Sequence, residues 1–199
     1  MKDIRNLNNS EIEAIKSCHD WREDCPVTLD RLRIVTVEHY DFAGVERKGQ
    51  IIVLDRVASA VSAIFGELYQ QKFPIYQLKP SHAYGGDDEA IMEANTSSAF
   101  NCRMIMAKGT WSSHSYGVAI DINPMQNPYL WINHKESTAK IFPKSGTMHL
   151  NRHVQKPGMV EPIVGIFKQH GFTDWGGEWN DRLDYHHFQL PWEDISAIY

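Results

Sequence analysis

Two segments that lie far apart in the chain each combine histidine with a carboxylate, and bringing them together is the strongest constraint on the fold. The first contains His114 and Asp121 with six residues between them. The second, residues 184–188, has the sequence Asp-Tyr-His-His-Phe. Catalytic zinc usually takes three protein ligands and keeps one position for water, so two histidines and one aspartate complete such a site. Asp184 is then not needed as a ligand and is a candidate for the general base.

The first segment has the polarity pattern of a strand. Successive residues fall on opposite faces, with Val118, Ile120 and Ile122 on one and Ala119, Asp121 and Asn123 on the other. Asp121 therefore points away from the apolar face, and the small Ala119 leaves room for an ion. His114 precedes Gly117 in a Ser-rich segment, which predicts a loop that bends the imidazole back toward the carboxylate.

The second segment needs a change of direction. On a flat strand, Asp184 and His187 are three positions apart and point to opposite faces, so both reach one site only if the chain turns near Asp184. We therefore expect a turn there. The adjacent His186 is a competing ligand, and spacing alone does not decide between the two histidines.

Together the segments resemble the signature of the VanY-type zinc D,D-carboxypeptidases and L-alanyl-D-glutamate endopeptidases, which cut peptidoglycan stem peptides. That signature is Ser-x-His-x-x-Gly-x-Ala-x-Asp followed by Glu/Asp-x-x-His. The matching residues are Ser112, His114, Gly117, Ala119 and Asp121, then Asp184 and His187. Further similarity at residues 95–103, 121–124, 127–129 and 175–177 extends the resemblance over roughly residues 30 to 192.

The resemblance implies a role for each residue. His114, Asp121 and His187 are the implied Zn²⁺ ligands, Asp184 is the general base, and Arg103 faces the substrate carbonyl or carboxylate. The vancomycin-resistance dipeptidases have Glu where this chain has Asp184, so the base carboxylate is one methylene shorter here.

Other residues near the motifs are candidates for substrate binding. These are Ser112 and Trp175, Gly176 and Gly177. The latter three begin the run of residues 175–179, which is interpreted as a cleft wall whose glycines let the backbone approach substrate closely. The same run is also compatible with an aromatic core turn, and Arg103 with a surface ion pair. Glu178 is a second candidate for the base.

A second histidine pair, His149 and His153, has the four-residue spacing of a helical zinc motif. Leu150 stands where the catalytic Glu of that motif belongs, so we predict that this pair is not catalytic.

Length and composition fit one globular enzyme domain. The chain has 199 residues, of which 42% are hydrophobic and 23% charged, enough for a full core. A net charge of −5 without a Lys/Arg cluster argues against nucleic acid as a partner. Peptidoglycan stem peptides are the expected partner, and a monomer is expected.

No apolar run approaches the length of a membrane span, and the polar start of the chain lacks the apolar core of a signal peptide. Action on cell wall would then require phage lysis, a secretion machine, or a leader absent from this sequence. Three cysteines, Cys18, Cys25 and Cys102, lack metal-type spacing. They are expected to be free or core thiols, with a Cys18–Cys25 disulfide as the alternative.

Local patterns predict a coarse set of elements. Ser10 to Cys18 is predicted as a helix capped by Ser10, Leu32 to Phe42 as a strand, Leu54 to Gln71 as a helix, and Ile75 to Leu78 as a strand. Residues 84–89 and 109–115 are predicted loops, residues 124–158 a long irregular excursion that walls the cleft, and residues 162–170 a helix.

Because strands and helices do not alternate regularly, the predicted class is α+β. We expect a single domain in which a small antiparallel sheet carries the zinc site and helices flank it, as the resemblance to the Hedgehog and D-Ala-D-Ala peptidase fold implies. Residues 1–30 would form an N-terminal extension and residues 31–192 the family-like core.

Two classes of function follow from these expectations. The first is zinc-dependent amide hydrolysis without a covalent intermediate; the ending Asp-Tyr-His-His-Phe-Gln favours an endolysin-like L-Ala-D-Glu endopeptidase, with a D-Ala-D-Ala carboxypeptidase as the alternative. The second is a non-catalytic binding or signalling domain like that of Hedgehog proteins. Such a domain would keep the ligands without a working base, so the presence of Asp184 argues against it.

Overall fold

A three-stranded antiparallel sheet covered by a helix forms the N-terminal half. The computed structural model describes residues 3–105, 109–133, 135–180 and 182–198. The first elements are β1 (Asp3–Asn6), α1 (Asn9–Ser17), β2 (Leu32–Tyr40), β3 (Glu46–Leu54) and α2 (Ala58–Gln70). Strand β2 lies at the centre, paired with β1 and with β3. Residues of the N-terminal segment therefore pack into the core, as the fully buried Ile15 shows.

Helix α1 begins earlier than predicted. The side chain of Asn8, and not that of Ser10, accepts a hydrogen bond from the backbone N–H of Glu11 at 3.0 Å. The carboxylate of Glu11 accepts from the N–H of Asn8 at 2.8 Å, which completes the capping box. Ser10 instead donates its hydroxyl to Asn8 Oδ1. Because Asn is as good an N-cap as Ser, Asn8 caps the helix, and the helix begins before Ser10.

The predicted strand at residues 32–42 is confirmed as β2, and the predicted helix at residues 54–71 as α2. The helix begins at Ala58, because Leu54 is the last residue of β3. Strand β3 has no counterpart in the prediction. Its first part is exposed and its last four residues are buried, so the simple alternation of a half-buried strand is missing.

Short elements occupy the middle of the chain, namely β4 (Gln77–Leu78), α3 (Asp88–Glu93), β5 (Thr96–Ser97), β6 (Met104–Ile105) and β7 (Thr110–Trp111). The predicted loop at residues 84–89 is wrong at its end, because Asp87 caps α3 by accepting from the N–H groups of Glu89 and Ala90. The predicted loop at residues 109–115 contains β7 and the start of a 3₁₀ turn, Ser113–Tyr116.

The C-terminal half contains β8 (Ala119–Asp121), β9 (Tyr129–Asn133), β10 (Thr138–Phe142), α4 (Val164–Gln169), β11 (Asp174–Trp175), β12 (Arg182–Asp184), β13 (His187–Gln189) and α5 (Trp192–Ile198). These strands form two three-stranded antiparallel sheets, ordered β10-β9-β12 and β11-β13-β8. The class is α+β with small antiparallel sheets, as predicted. Among the described residues, no helix is long and apolar enough to cross a membrane.

The predicted irregular excursion at residues 124–158 is wrong in its centre. β9 and β10 pair there as an antiparallel hairpin, with Tyr129 opposite Phe142. The helix predicted for residues 162–170 is confirmed in a shorter form, since a 3₁₀ turn, Glu161–Ile163, precedes α4.

The expectation of free or core thiols is wrong for two of the three cysteines. Cys25 forms a disulfide with Cys102, with 6.1 Å between their Cα atoms, and Cys18 is free. The alternative Cys18–Cys25 bridge is therefore excluded. The observed bridge ties the segment after α1 to the chain beside Arg103.

Candidate metal centre

The backbone around His114 is held in a tight turn beside β8. The Ser112 side chain accepts from the N–H of His114, and Gly117 ends the turn with a positive φ of +68°. A Cβ on Gly117 would lie 2.7 Å from the backbone nitrogen of Leu54, which donates to the Gly117 carbonyl. Glycine at this position therefore lets the turn pack directly on β3.

Strand β8 brings Asp121 opposite the C-terminal histidine. Asp121 and His187 are direct Cα partners in the antiparallel pair of β8 and β13. The apolar residues of the strand are buried, as predicted, and Asp121 on the other face is also buried. Both faces of β8 are thus covered, and Asp121 meets the imidazoles away from bulk solvent.

Three side chains meet at contact distance. His114 Nε2 lies 3.1 Å from His187 Nδ1 and 3.2 Å from Asp121 Oδ2, and His187 Nδ1 lies 3.1 Å from Asp121 Oδ1. Among the described residues, His114, Asp121 and His187 form the group whose donor atoms all lie within 4.8 Å of one another. Two imidazole nitrogens and one carboxylate oxygen are the donor set that zinc takes in hydrolytic sites.

The far side of each imidazole is fixed by a hydrogen bond. His114 Nδ1 donates to the carbonyl of Ala99 at 2.5 Å, which leaves its Nε2 lone pair for a metal. His187 Nε2 lies 2.9 Å from Gln189 Oε1. Gln189 uses its NH₂ group to donate to Asp174, so its carbonyl oxygen is the atom that faces His187. His187 therefore donates from Nε2 and presents Nδ1 to the site.

Electrostatics explain why the three groups tolerate burial. Burial alone would raise the pKa of Asp121, but the facing imidazoles of His114 and His186 hold it well below its usual range. Burial alone would lower the pKa of His187, and contact with Asp121 raises it instead. A dication held by these three groups would likewise stabilise the buried Asp121 carboxylate.

The predicted turn between base and ligand is present. Asp184 ends β12, Tyr185 and His186 form a turn, and His187 begins β13. Asp184 thus belongs to the sheet with β9 and β10, whereas His187 belongs to the sheet with β8. Because the chain turns at residues 185–186 between the two sheets, the side chains of Asp184 and His187 can point to the same site.

His186 lies between the two aspartates. Its Nδ1 donates to the carbonyl of Asn127 at 2.7 Å, and its Nε2 is 3.0 Å from Asp184 Oδ1 and 3.9 Å from Asp121 Oδ2. Burial alone would lower the pKa of His186, but the two carboxylates outweigh it and raise this pKa to about 10. His186 therefore contacts Asp184, and His187 is the histidine that joins the three-residue cluster.

The cluster opens into a cleft of about 480 Å³. Of the residues predicted to contact substrate, Arg103 and Ser112 line this cleft, as does Asp184. Arg103 is paired with Asp88 at 2.9 Å, and its Nε–H is buried without a hydrogen-bond partner among the described residues.

Trp175, Gly176 and Gly177 lie behind the cleft wall and are not among its lining residues. The Trp175 ring stacks on Phe188 with 6.2 Å between centroids. A Cβ on Gly176 would lie 2.4 Å from the carbonyl oxygen of Asp184, so this glycine lets the chain pack directly against Asp184.

Other predicted residues lie away from the cleft. Glu178, the second candidate for the base, forms a half-exposed ion pair with Lys168 at 2.7 Å. Neither His149 nor His153 is among the cleft-lining residues.

Trp179, which ends the run that begins at Trp175, does line the cleft. Several other cleft residues were not predicted from the sequence, among them Trp111, Tyr129, Arg182 and Trp192. Trp111 and Tyr129 carry no comparable sequence pattern.

Comparison with protein families supports this geometry. A family profile described as D-alanyl-D-alanine carboxypeptidase matches residues 106–190, which include the three clustered residues and Asp184. The match confirms the resemblance seen in the two motifs and supports a peptidase. No curated protein and no solved structure gives a significant match.

Proposed function

We propose that the protein is a zinc-dependent peptidase that hydrolyses an amide bond in peptidoglycan stem peptides. The observation that carries this proposal is a further carboxylate, that of Asp184, which lies outside the cluster of His114, Asp121 and His187 and lines the same cleft. A non-catalytic zinc domain has no need of such a carboxylate.

The residues divide the chemistry among them. Zinc, when bound, supplies Lewis-acid polarisation of the scissile carbonyl and a water of lowered pKa. Asp184 accepts the water proton and passes it to the leaving amine. The unpaired Nε–H of Arg103 offers a donor to the oxygen that gains charge as the carbonyl is attacked.

The bond is proposed to be that between L-Ala and D-Glu, which rests on the resemblance of the C-terminal motif to the endolysin-like endopeptidases. The D-Ala-D-Ala bond is the second candidate, because the matching family profile is described as a carboxypeptidase. In either case the site of action is the cell wall. Mass spectrometry of muropeptides after digestion identifies the bond from the new termini.

The metal is tested by content and by variants. The purified protein should carry one zinc per chain, and chelation should abolish hydrolysis. His187→Ala should lose zinc, whereas His186→Ala should retain it, because His186 lies outside the cluster. Full activity of metal-free protein would refute the proposal. If His186→Ala loses zinc and His187→Ala retains it, then His186 is the ligand in place of His187.

The base is tested by a substitution that preserves shape. Asp184→Asn should bind zinc and lose on the order of 100- to 10,000-fold in turnover. Asp121→Asn should weaken zinc binding itself. Glu178→Gln is a matched control, since this carboxylate pairs with Lys168 outside the cleft and the variant should retain activity. If zinc-loaded Asp184→Asn hydrolyses the substrate at the parental rate, Asp184 is not the general base.

A further inference from the structure

Strand β12 carries a second charged side chain toward the cleft. Arg182 and Asp184 are two positions apart on this strand and therefore share a face, and both line the cleft. Two residues of strand span about 7 Å. If a peptide binds with an amide bond against Asp184, the Arg182 guanidinium lies within one or two substrate residues of that bond.

An aromatic ring positions the guanidinium. The Arg182 guanidinium carbon lies 4.9 Å from the centroid of the Trp179 ring, which is a cation–π contact. The Trp179 ring also lies 5.4 Å from the ring of His187, and its Nε1–H donates to Asp174 at 2.6 Å. Trp179 is therefore fixed between the metal cluster and Arg182.

The two arginines of the cleft differ in their partners. Arg103 is paired with Asp88 at 2.9 Å. Within residues 3–105, 109–133, 135–180 and 182–198, no carboxylate forms an ion pair with Arg182. A half-buried guanidinium held over a ring at the cleft wall, with its donors unused by the described part of the chain, is suited to binding a planar anion of the substrate.

We propose that Arg182 determines specificity by binding a substrate carboxylate within one or two residues of the scissile amide. This inference rests on the proposed function, because the substrate class comes from it. A stem peptide with lysine at its third position, the kind used in the test, offers two such groups, the free α-carboxylate of γ-linked D-Glu and the terminal carboxylate of D-Ala. Both present the same chemistry to a guanidinium.

The test uses stem peptides that differ by one amidation. The parent, loaded with zinc, is assayed on an unmodified pentapeptide, on one amidated at the D-Glu α-carboxylate and on one amidated at the C-terminus. The parent should show a higher kcat/KM for the unmodified peptide than for one of the amidated peptides, by about 10- to 100-fold, the range typical of a hydrogen bond to a charged group. The amidation that lowers kcat/KM identifies the carboxylate.

Arg182→Gln should reduce that preference to near unity, mainly by lowering kcat/KM on the unmodified peptide. Arg182→Lys should restore part of it, because it keeps the charge but loses the planar pair of donors. Lys72→Gln is the matched control, because it removes a charge over the Tyr40 ring on β2, away from the cleft, and should leave the preference as in the parent. Zinc content and circular dichroism establish that each variant is folded.

The inference would be wrong if Arg182→Gln kept the parental preference, or if the parent cleaved all three peptides with equal kcat/KM. Neither result would contradict the proposed hydrolysis itself. If the zinc-loaded parent cleaves none of the three peptides, the proposed function fails, and this inference fails with it.

Discussion

Asp20 is a buried acid whose ionisation should control stability near neutral pH. The side chain is 1% exposed, its Oδ2 lies 2.6 Å from Ser81 Oγ, and its Oδ1 has no hydrogen-bond partner among the described residues. Ser81 also donates to the carbonyl of Phe100. A hydroxyl has one hydrogen, so both contacts of Ser81 are satisfied only if the Asp20 carboxyl is protonated and donates.

Burial raises the pKa of Asp20 from 3.8 to about 7, against smaller opposing effects of the contacts with the Ser81 hydroxyl and the backbone of His82. The folded state therefore binds this proton more tightly than the unfolded state. The contribution is present in full below the unfolded pKa and is lost as pH rises through about 7. A difference of this size corresponds to at most about 4 kcal/mol of folding free energy.

Asp20→Asn should remove this dependence, because the amide can donate to Ser81 at every pH. Urea unfolding of parent and variant, at matched zinc concentration, gives the difference in unfolding free energy at each pH. We expect the variant to gain about 3 kcal/mol relative to the parent between about pH 5 and about pH 8. A difference that is constant over this range would refute the argument for a protonated Asp20.

Three further predictions concern the site and its support. Gly176→Ala places a Cβ 2.4 Å from the carbonyl oxygen of Asp184, so turnover should fall by about 100-fold or more while zinc content is kept; parental turnover would contradict this. Gln189→Ala leaves His187 Nε2 without its main partner and should weaken zinc binding about 10- to 100-fold in competition with a chromophoric chelator. An unchanged affinity would show that Gln189 does not hold the imidazole. Cys102→Ser opens a disulfide that spans 77 positions and should cost about 4 kcal/mol or less in urea unfolding, and reductant should then have no further effect.

The metal cluster was predictable because its signals are local. The alternation around Asp121 fixes the face of the strand, and three-residue spacing requires the turn before His187. Both hold in the structure. The choice between His186 and His187 was not available from spacing, because it depends on which strand the second histidine joins.

Other features depend on contacts between distant segments. The Cys25–Cys102 bridge joins residues 77 positions apart and leaves no spacing pattern in the sequence. Strand β3 was missed because burial changes along its length, from an exposed start to a fully covered end. Its partner β2 was found because its four central residues, 34–37, are all β-branched.

The division of the site between two sheets has a consequence for how such a protein can change. The proposed ligands His114, Asp121 and His187 depend on β8, β13 and the turn before them, whereas Asp184 and Arg182 depend on pairing with β9. Substitutions in the hairpin of residues 129–142 can therefore reshape the cleft wall and move the proposed base without altering a proposed metal ligand. If the proposed function holds, the preferred peptide can change through one sheet while the other sheet keeps the metal site.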